Sequence, residues 1–202
     1  AIPQFITLLG MSRILGAGGP INTWFFNMGW AKSLDTFWLN DPSNLGLKPK
    51  IALILVNCWV GVPYTMLSTS GILMNIPDDL YESARIDGAS PTRQFFSITM
   101  PYILFVTGPS LLTAFIGNIN NFNVIYFLTG GGPSSDGSIT LANNAQLTDL
   151  LITWLYKMTV NASRPTYAIG STIGILIFII CAFFSLIVYK RLGSTKNEEE
   201  FQ

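Results

Sequence analysis

From Ile51 to Met74 the chain runs for 24 residues without a charged side chain. At 1.5 Å per residue a helix over that run reaches roughly 36 Å, enough to cross a hydrocarbon core of about 30 Å with some tilt. A core of that kind offers the backbone no water, so a helix that pairs its own amides is what such a run can form. Two more runs share the property. Pro101–Leu128 is charge-free but interrupted by Gly108, Pro109, Gly117 and four Asn, and Tyr167–Tyr189 is clean and ends on Lys190 and Arg191. Residues 1–16, "AIPQFITLLGMSRILG", lack an initiator Met, a basic leader region and a small-residue cleavage site. They read as the end of a fourth span, which makes the chain the C-terminal portion of a longer protein. Half the residues are apolar and 11% are charged, against about 25% in soluble domains. The expectation is an all-α membrane protein, a polytopic bundle with spans at about 1–16, 51–74, 101–128 and 167–189, an elbow at 76–100 and a polar tail at 190–202.

Several functions fall away. Eleven basic residues balance eleven acidic ones with no basic arm, so no nucleic-acid partner is expected. There is no His, and Cys58 and Cys181 lie far apart in apolar segments; the usual zinc sets and Cys/His nucleophiles are therefore not available. No catalytic residue, metal site or cofactor is expected, and the absence of a G-x-x-x-x-G-K-[ST] loop predicts that the chain does not hydrolyse ATP itself. Lys190 and Arg191, close to a helix end, favour a cytoplasmic tail, which places residues 75–100 on the same side. Trp24, Phe25, Phe26, Trp30, Phe37 and Trp38 suit chain lying at the headgroup level. Leu147, Leu150, Leu151, Trp154, Leu155 and Met158 recur at helical spacing and predict an interfacial or re-entrant helix within 139–160. Asp149 and Lys157 argue against a crossing there.

Between two spans stands "IPDDLYESARIDGASPTRQFFSITMP", Ile76–Pro101. Pro77 fits a first helical turn, and Asp78, Asp79 and Glu82 put negative charge at the positive end of its dipole. Gly88 is a natural residue just past a helix end, and Pro91 suits the first turn of the next helix, so the segment reads helix, tight break, helix. Glu82-Ser83-Ala84, Asp87-Gly88-Ala89, Phe95, Ile98 and Pro101 resemble the EAA signature of ABC-importer permeases, with Ser83 where that family usually has a second small residue. A second Pro that often follows four residues after the first is absent, Phe105 taking its place. The resemblance implies a type I importer permease whose elbow is a coupling helix, docked in a cleft of an ATP-hydrolysing subunit. Leu80 and Ile86 would then be anchors, Glu82 and Arg85 a polar rim and Gly88 the bend, with Ser83, Ala84, Asp87 and Ala89 completing the docking segment. "NIPDDLYESARIDGA", "FNVIYFLTGGGP" and "TDLL" narrow the likeness to the larger, MalF-type permease subunit of maltose and maltodextrin importers.

Polar residues inside the spans point the same way. Asn57, Gly61 and Tyr64 fall at i, i+4 and i+7 on one helix face with Ser68 a turn further on, and Asn118 and Asn121 at i, i+3 on the next span, with Asn120 and Asn123 beside them. Such amides can be packing glue between helices, the reading that suits Asn120 and Asn123. They can also meet a hydroxyl-rich ligand, which needs neutral donors and acceptors and an aromatic face. The resemblance implies that Asn57, Val60, Gly61, Tyr64, Asn118 and Asn121 hold a sugar near mid-membrane, although Ala114 and Gly117 depart from the Ser and the aromatic residue the family can carry there. Neither span carries the Arg or Lys a phosphate would call for. Pro63 predicts a kink on this face. The function implied is an ATP-driven maltodextrin permease of the bacterial inner membrane, or an ABC permease for another sugar or polyol derivative. Its implied partners are a MalG-type second permease, a MalK-type ATPase dimer, an external sugar-binding protein and the lipid bilayer.

Overall fold

The computed structural model describes residues 3–34, 38–137, 140–141, 144–162 and 164–191. Among them the regular elements are all helices: α1 (Gln4–Leu15), α2 (Pro20–Asn27), α3 (Ser43–Leu73), α4 (Asp78–Ile86), α5 (Pro91–Gln94), α6 (Met100–Ile119), α7 (Phe122–Leu128), α8 (Leu151–Thr159) and α9 (Tyr167–Arg191). A five-residue π-helix, Phe95–Thr99, joins α5 to α6. Among the described residues, three stretches are long and apolar enough to cross a membrane: Ser43–Leu73, Pro91–Ile119 and Tyr167–Lys190. Only 6% of the apolar window of Pro91–Ile119 is buried within the chain, which leaves a long apolar surface open.

The ends of these helices differ from the charge-free runs. The run from Pro101 predicts a span to Leu128, yet the helical stretch starts at Pro91 and stops at Ile119. The stop has a local cause. The Asn121 side chain accepts the Val124 N–H at 3.3 Å and starts α7 as a new helix, the competition with backbone pairing that short amide side chains offer. At 12 residues α1 is roughly 18 Å long. In α3 the non-helical dihedrals fall at Asn44, Leu45 and Gly46 and not at Pro63, where a kink is expected. Within 139–160, α8 occupies nine residues only, and Leu147 and Leu150 precede it in a loop. Residues 192–202, most of the expected tail, lie outside the described residues, as does Phe37.

The chain divides into two compact units, residues 1–61 with 119–180 and residues 62–118 with 181–202. In the first, Leu8 of α1, Ala52, Leu53 and Val56 of α3, and Val124, Ile125 and Leu128 of α7 form a common core with Leu39. Leu8 is completely buried, with Met11 and Leu15 three and seven residues on packed against the same core, the spacing that lines one face of a helix. The aromatic residues after α1 cluster: Phe25 lies edge-on to Trp24 and Trp38 with ring centroids 5.0 and 5.8 Å away, while Trp24 and Trp30 stay largely exposed. Asn22 is buried, and its amide donates to the Gly16 carbonyl at 2.8 Å, satisfying a group that α1 leaves open at its end. Ahead of α3, Asp41 accepts from the Ser43 N–H at 2.8 Å and from Lys48 at 2.7 Å. Burial pushes the Asp41 carboxyl up, but the bonds from Lys48 and Ser43 outweigh it and hold the group below its ordinary value. This link therefore contributes above the usual carboxylate range and is lost as pH falls through the lowered value.

In the second unit, among the described residues, only Ile76, Thr99 and Gly108 are buried. Phe115 and Phe184 meet edge-on at 5.9 Å. This unit carries the elbow.

Candidate functional site

The elbow is built from local signals. Pro77 caps α4 instead of sitting in its first turn, Asp78 and Asp79 open the helix and Arg85 lies in its last turn, matching charge to dipole at both ends. Gly88 has φ +74°. Its N–H donates to the Arg85 carbonyl at 3.0 Å, and the Ala89 N–H donates to the Ala84 carbonyl at 2.8 Å, a Schellman ending that needs a left-handed residue at this position. Ser90 then caps α5 with Pro91 in first place, and the Gln94 side chain ties back to the Ala89 carbonyl at 2.9 Å. None of α4 is buried. Leu80 and Ile86 are 48% and 86% exposed, Glu82, Ser83, Arg85, Asp87 and Gly88 are exposed, and Ala84 and Ala89 are half-buried. An open cleft of about 260 Å³ lies behind them, lined by Ala84, Asp87, Ala89, Arg93, Gln94, Ser97 and Ile98. A rigid helix with bare apolar side chains is what a docking partner requires.

The six residues implied for the sugar do not all come together within one unit. Asn57, Val60, Gly61 and Asn121 belong to the first unit, Tyr64 and Asn118 to the second. The Asn121 amide donates to the Asn57 side-chain oxygen (Oδ1) at 3.0 Å while its own side-chain oxygen caps α7. Asn121 thus does between α3 and α7 the packing work expected of Asn120 and Asn123. Val60 is half-buried and Gly61 exposed. Tyr64 is 78% exposed, and Asn118 is exposed and donates to the Ala114 carbonyl of its own helix at 2.8 Å. Asn121→Leu is therefore expected to destabilise the subunit by about 1–2 kcal/mol, losing both a helix cap and an interhelical bond. Equilibrium unfolding in mixed micelles measures this, and a wild-type midpoint would show that neither bond contributes.

A second polar cluster is not apparent from spacing. The "TGGGP" loop after α7 is fastened to the segment before α8 by Thr148, whose N–H donates to the Gly131 carbonyl at 3.0 Å and whose hydroxyl donates to the Gly132 carbonyl at 2.6 Å. Beneath it, Lys157 of α8 donates to Asp149 and to the Gln146 side-chain oxygen, each at 2.8 Å. Asp149 also accepts from the Gln146 N–H at 2.8 Å and the Thr153 hydroxyl at 3.0 Å. The side chains of Lys157 and Asp149 are 17% and 4% exposed. Gly131, at φ +89°, packs so closely that a Cβ would collide with both charged groups. The two charges that argue against a membrane crossing here neutralise each other.

The family described as binding-protein-dependent transport system inner membrane component matches residues 1–196. The chain belongs to that family. Among family relatives, the maltodextrin transport system permease protein MdxF of Bacillus subtilis (strain 168) is 37% identical over 204 residues, covering 98% of this chain and 45% of the relative. The galactooligosaccharides transport system permease protein GanP of the same organism is 36% identical over 199 residues, covering 98% of this chain and 44% of that one. The chain thus spans less than half the length of these permeases. A solved chain from a bacterial ABC transporter involved in importing the acidic polysaccharide alginate superposes with a TM-score of 0.71 at 20% identity, covering 94% of this chain and 60% of that one. At that identity the likeness supports the fold alone, an all-α helix bundle.

Proposed function

We propose that this chain is the C-terminal part of the transmembrane domain of a permease subunit that carries maltodextrin-type oligosaccharides through the bacterial inner membrane, driven by ATP hydrolysed in a partner ATPase. The observation that carries the reading is the elbow, a rigid, Schellman-capped helix whose Leu80 and Ile86 lie bare, in a family of binding-protein-dependent transport components. In this reading α4 docks on a MalK-type ATPase dimer, residues 75–100 and the tail are cytoplasmic, and a MalG-type permease and an external sugar-binding protein complete the complex. Asn57, Val60, Gly61, Tyr64, Asn118 and Asn121 face the sugar, offering neutral donors and acceptors and one ring. No cofactor is bound by this subunit, and ATP belongs to the partner.

A second sugar class, galactooligosaccharides, is favoured by the near-equal identity to GanP. The test is ATP hydrolysis by the subunit reconstituted in liposomes with its companion permease, ATPase and binding protein. Stimulation by maltodextrins supports the first reading. Stimulation by galactooligosaccharides alone replaces it, and stimulation by neither refutes both. Because the Asn118 side chain is exposed and its amide bonds within its own helix, Asn118→Leu is expected to cut sugar uptake roughly tenfold or more by removing a hydrogen-bonding group from the path. The assembled complex should survive in normal amount on a sizing column. Unchanged uptake would remove Asn118 from the sugar path.

A further inference from the structure

In a transport subunit of the kind proposed, on which this inference rests, a push on α4 has to reach the spans. The helix that leaves the elbow is not a continuous α-helix: over Phe95–Thr99 it widens to a π-helix, and the Met100 N–H closes the wider ring on the Phe95 carbonyl. Such a turn holds one residue more than an α-turn and is a place where helices kink. Left alone, this joint would absorb a push on α4 by flexing, and little movement would arrive at α6. Apolar packing does little to prevent that, since Ile76 and Thr99 are the only buried residues of this unit below Gly108 among those described. A hydrogen bond spans the joint. The Tyr81 hydroxyl of α4 lies 2.8 Å from the hydroxyl of Thr99, the last residue of the π-helix, whose side chain is buried. The bond therefore links the coupling helix to the far end of the weak turn, and the Gln94 side chain, bonded to the Ala89 carbonyl, stiffens the corner between them.

We propose that Tyr81 and Thr99 are positioning residues for transport: their hydroxyl pair bypasses the π-turn and delivers movement of α4 to the Pro91–Ile119 span. The experiment uses the subunit reconstituted with its companion permease, ATPase and binding protein, and reads maltodextrin carried per ATP hydrolysed. Tyr81→Phe and Thr99→Val should each lower that ratio roughly three- to tenfold, the scale of one net hydrogen bond, with the rate of ATP hydrolysis retained. The double variant should be no worse than either single one, because both remove the same bond. Thr99→Ser, which keeps the hydroxyl, should hold the wild-type ratio. A merely structural role would lower the amount of assembled complex and leave the ratio alone. Single variants with the wild-type ratio, or a double variant whose losses multiply, would overturn the strut while the transport reading stood. A wild-type complex that carries neither maltodextrins nor galactooligosaccharides would overturn the transport reading and the strut with it.

Discussion

Asp149→Ala is expected to destabilise the protein by about 3 kcal/mol or more, because it leaves the Lys157 ammonium enclosed without its counter-charge. The Lys157 side chain is 17% exposed, and the Gln146 side-chain oxygen that remains beside it at 2.8 Å is a neutral acceptor. The same substitution strips the Gln146 N–H and the Thr153 hydroxyl of an acceptor, so the loop ahead of α8 loosens together with the "TGGGP" segment fastened to it. The pair Asp149→Leu with Lys157→Met removes both charges at similar volume and should recover most of the loss, as buried pairs do when replaced together. Equilibrium unfolding of the subunit in mixed micelles decides the matter. An Asp149→Ala midpoint close to wild type would mean that Lys157 finds water on its own.

Gly88→Pro is the second large effect. Proline holds φ near −65° and has no N–H, whereas Gly88 sits at φ +74° and donates to the Arg85 carbonyl. The Schellman ending cannot form, at a local cost of about 3 kcal/mol, and α4 loses its fixed angle to α5. ATP hydrolysis should then continue with sugar transport per ATP reduced at least about tenfold, while the spans, whose helices end before α4 or begin after the break at Gly88, stay folded. Gly88→Ala is the graded control. Open space surrounds Gly88, so alanine meets only the left-handed strain, about 1–2 kcal/mol, and Gly88→Asn, a residue that tolerates that conformation, should lie nearer wild type. If Gly88→Pro transports with normal stoichiometry, α4 is not the coupling element.

These two sites differ in how far they can be read before folding. The elbow is legible because its signals are neighbours: Pro77, Asp78 and Asp79 start a helix, Gly88 ends it and Pro91 starts another, each acting through backbone geometry within a turn or two. The spans are legible for a simpler reason. A long run without charge has one stable state in a bilayer, and the runs at Ile51–Met74 and Tyr167–Tyr189 lie within helices that span Ser43–Leu73 and Tyr167–Lys190 almost in full. A hydropathy run says little about where helical pairing stops, which is why the break at Asn120 and Asn121 is invisible in it. The one available cue was an Asn three residues ahead of Val124 at a possible cap.

Tertiary structure alone decided the partners. Asn121 meets Asn57 across 64 residues, Tyr81 meets Thr99 across 18, and Lys157 turns back to Asp149 across the start of α8. An amide, a hydroxyl or an ammonium in a sequence states only that a bond is needed. Whether that need is met by a neighbouring helix, by a sugar or by another charge depends on which backbones pack side by side, and chain proximity carries no record of it.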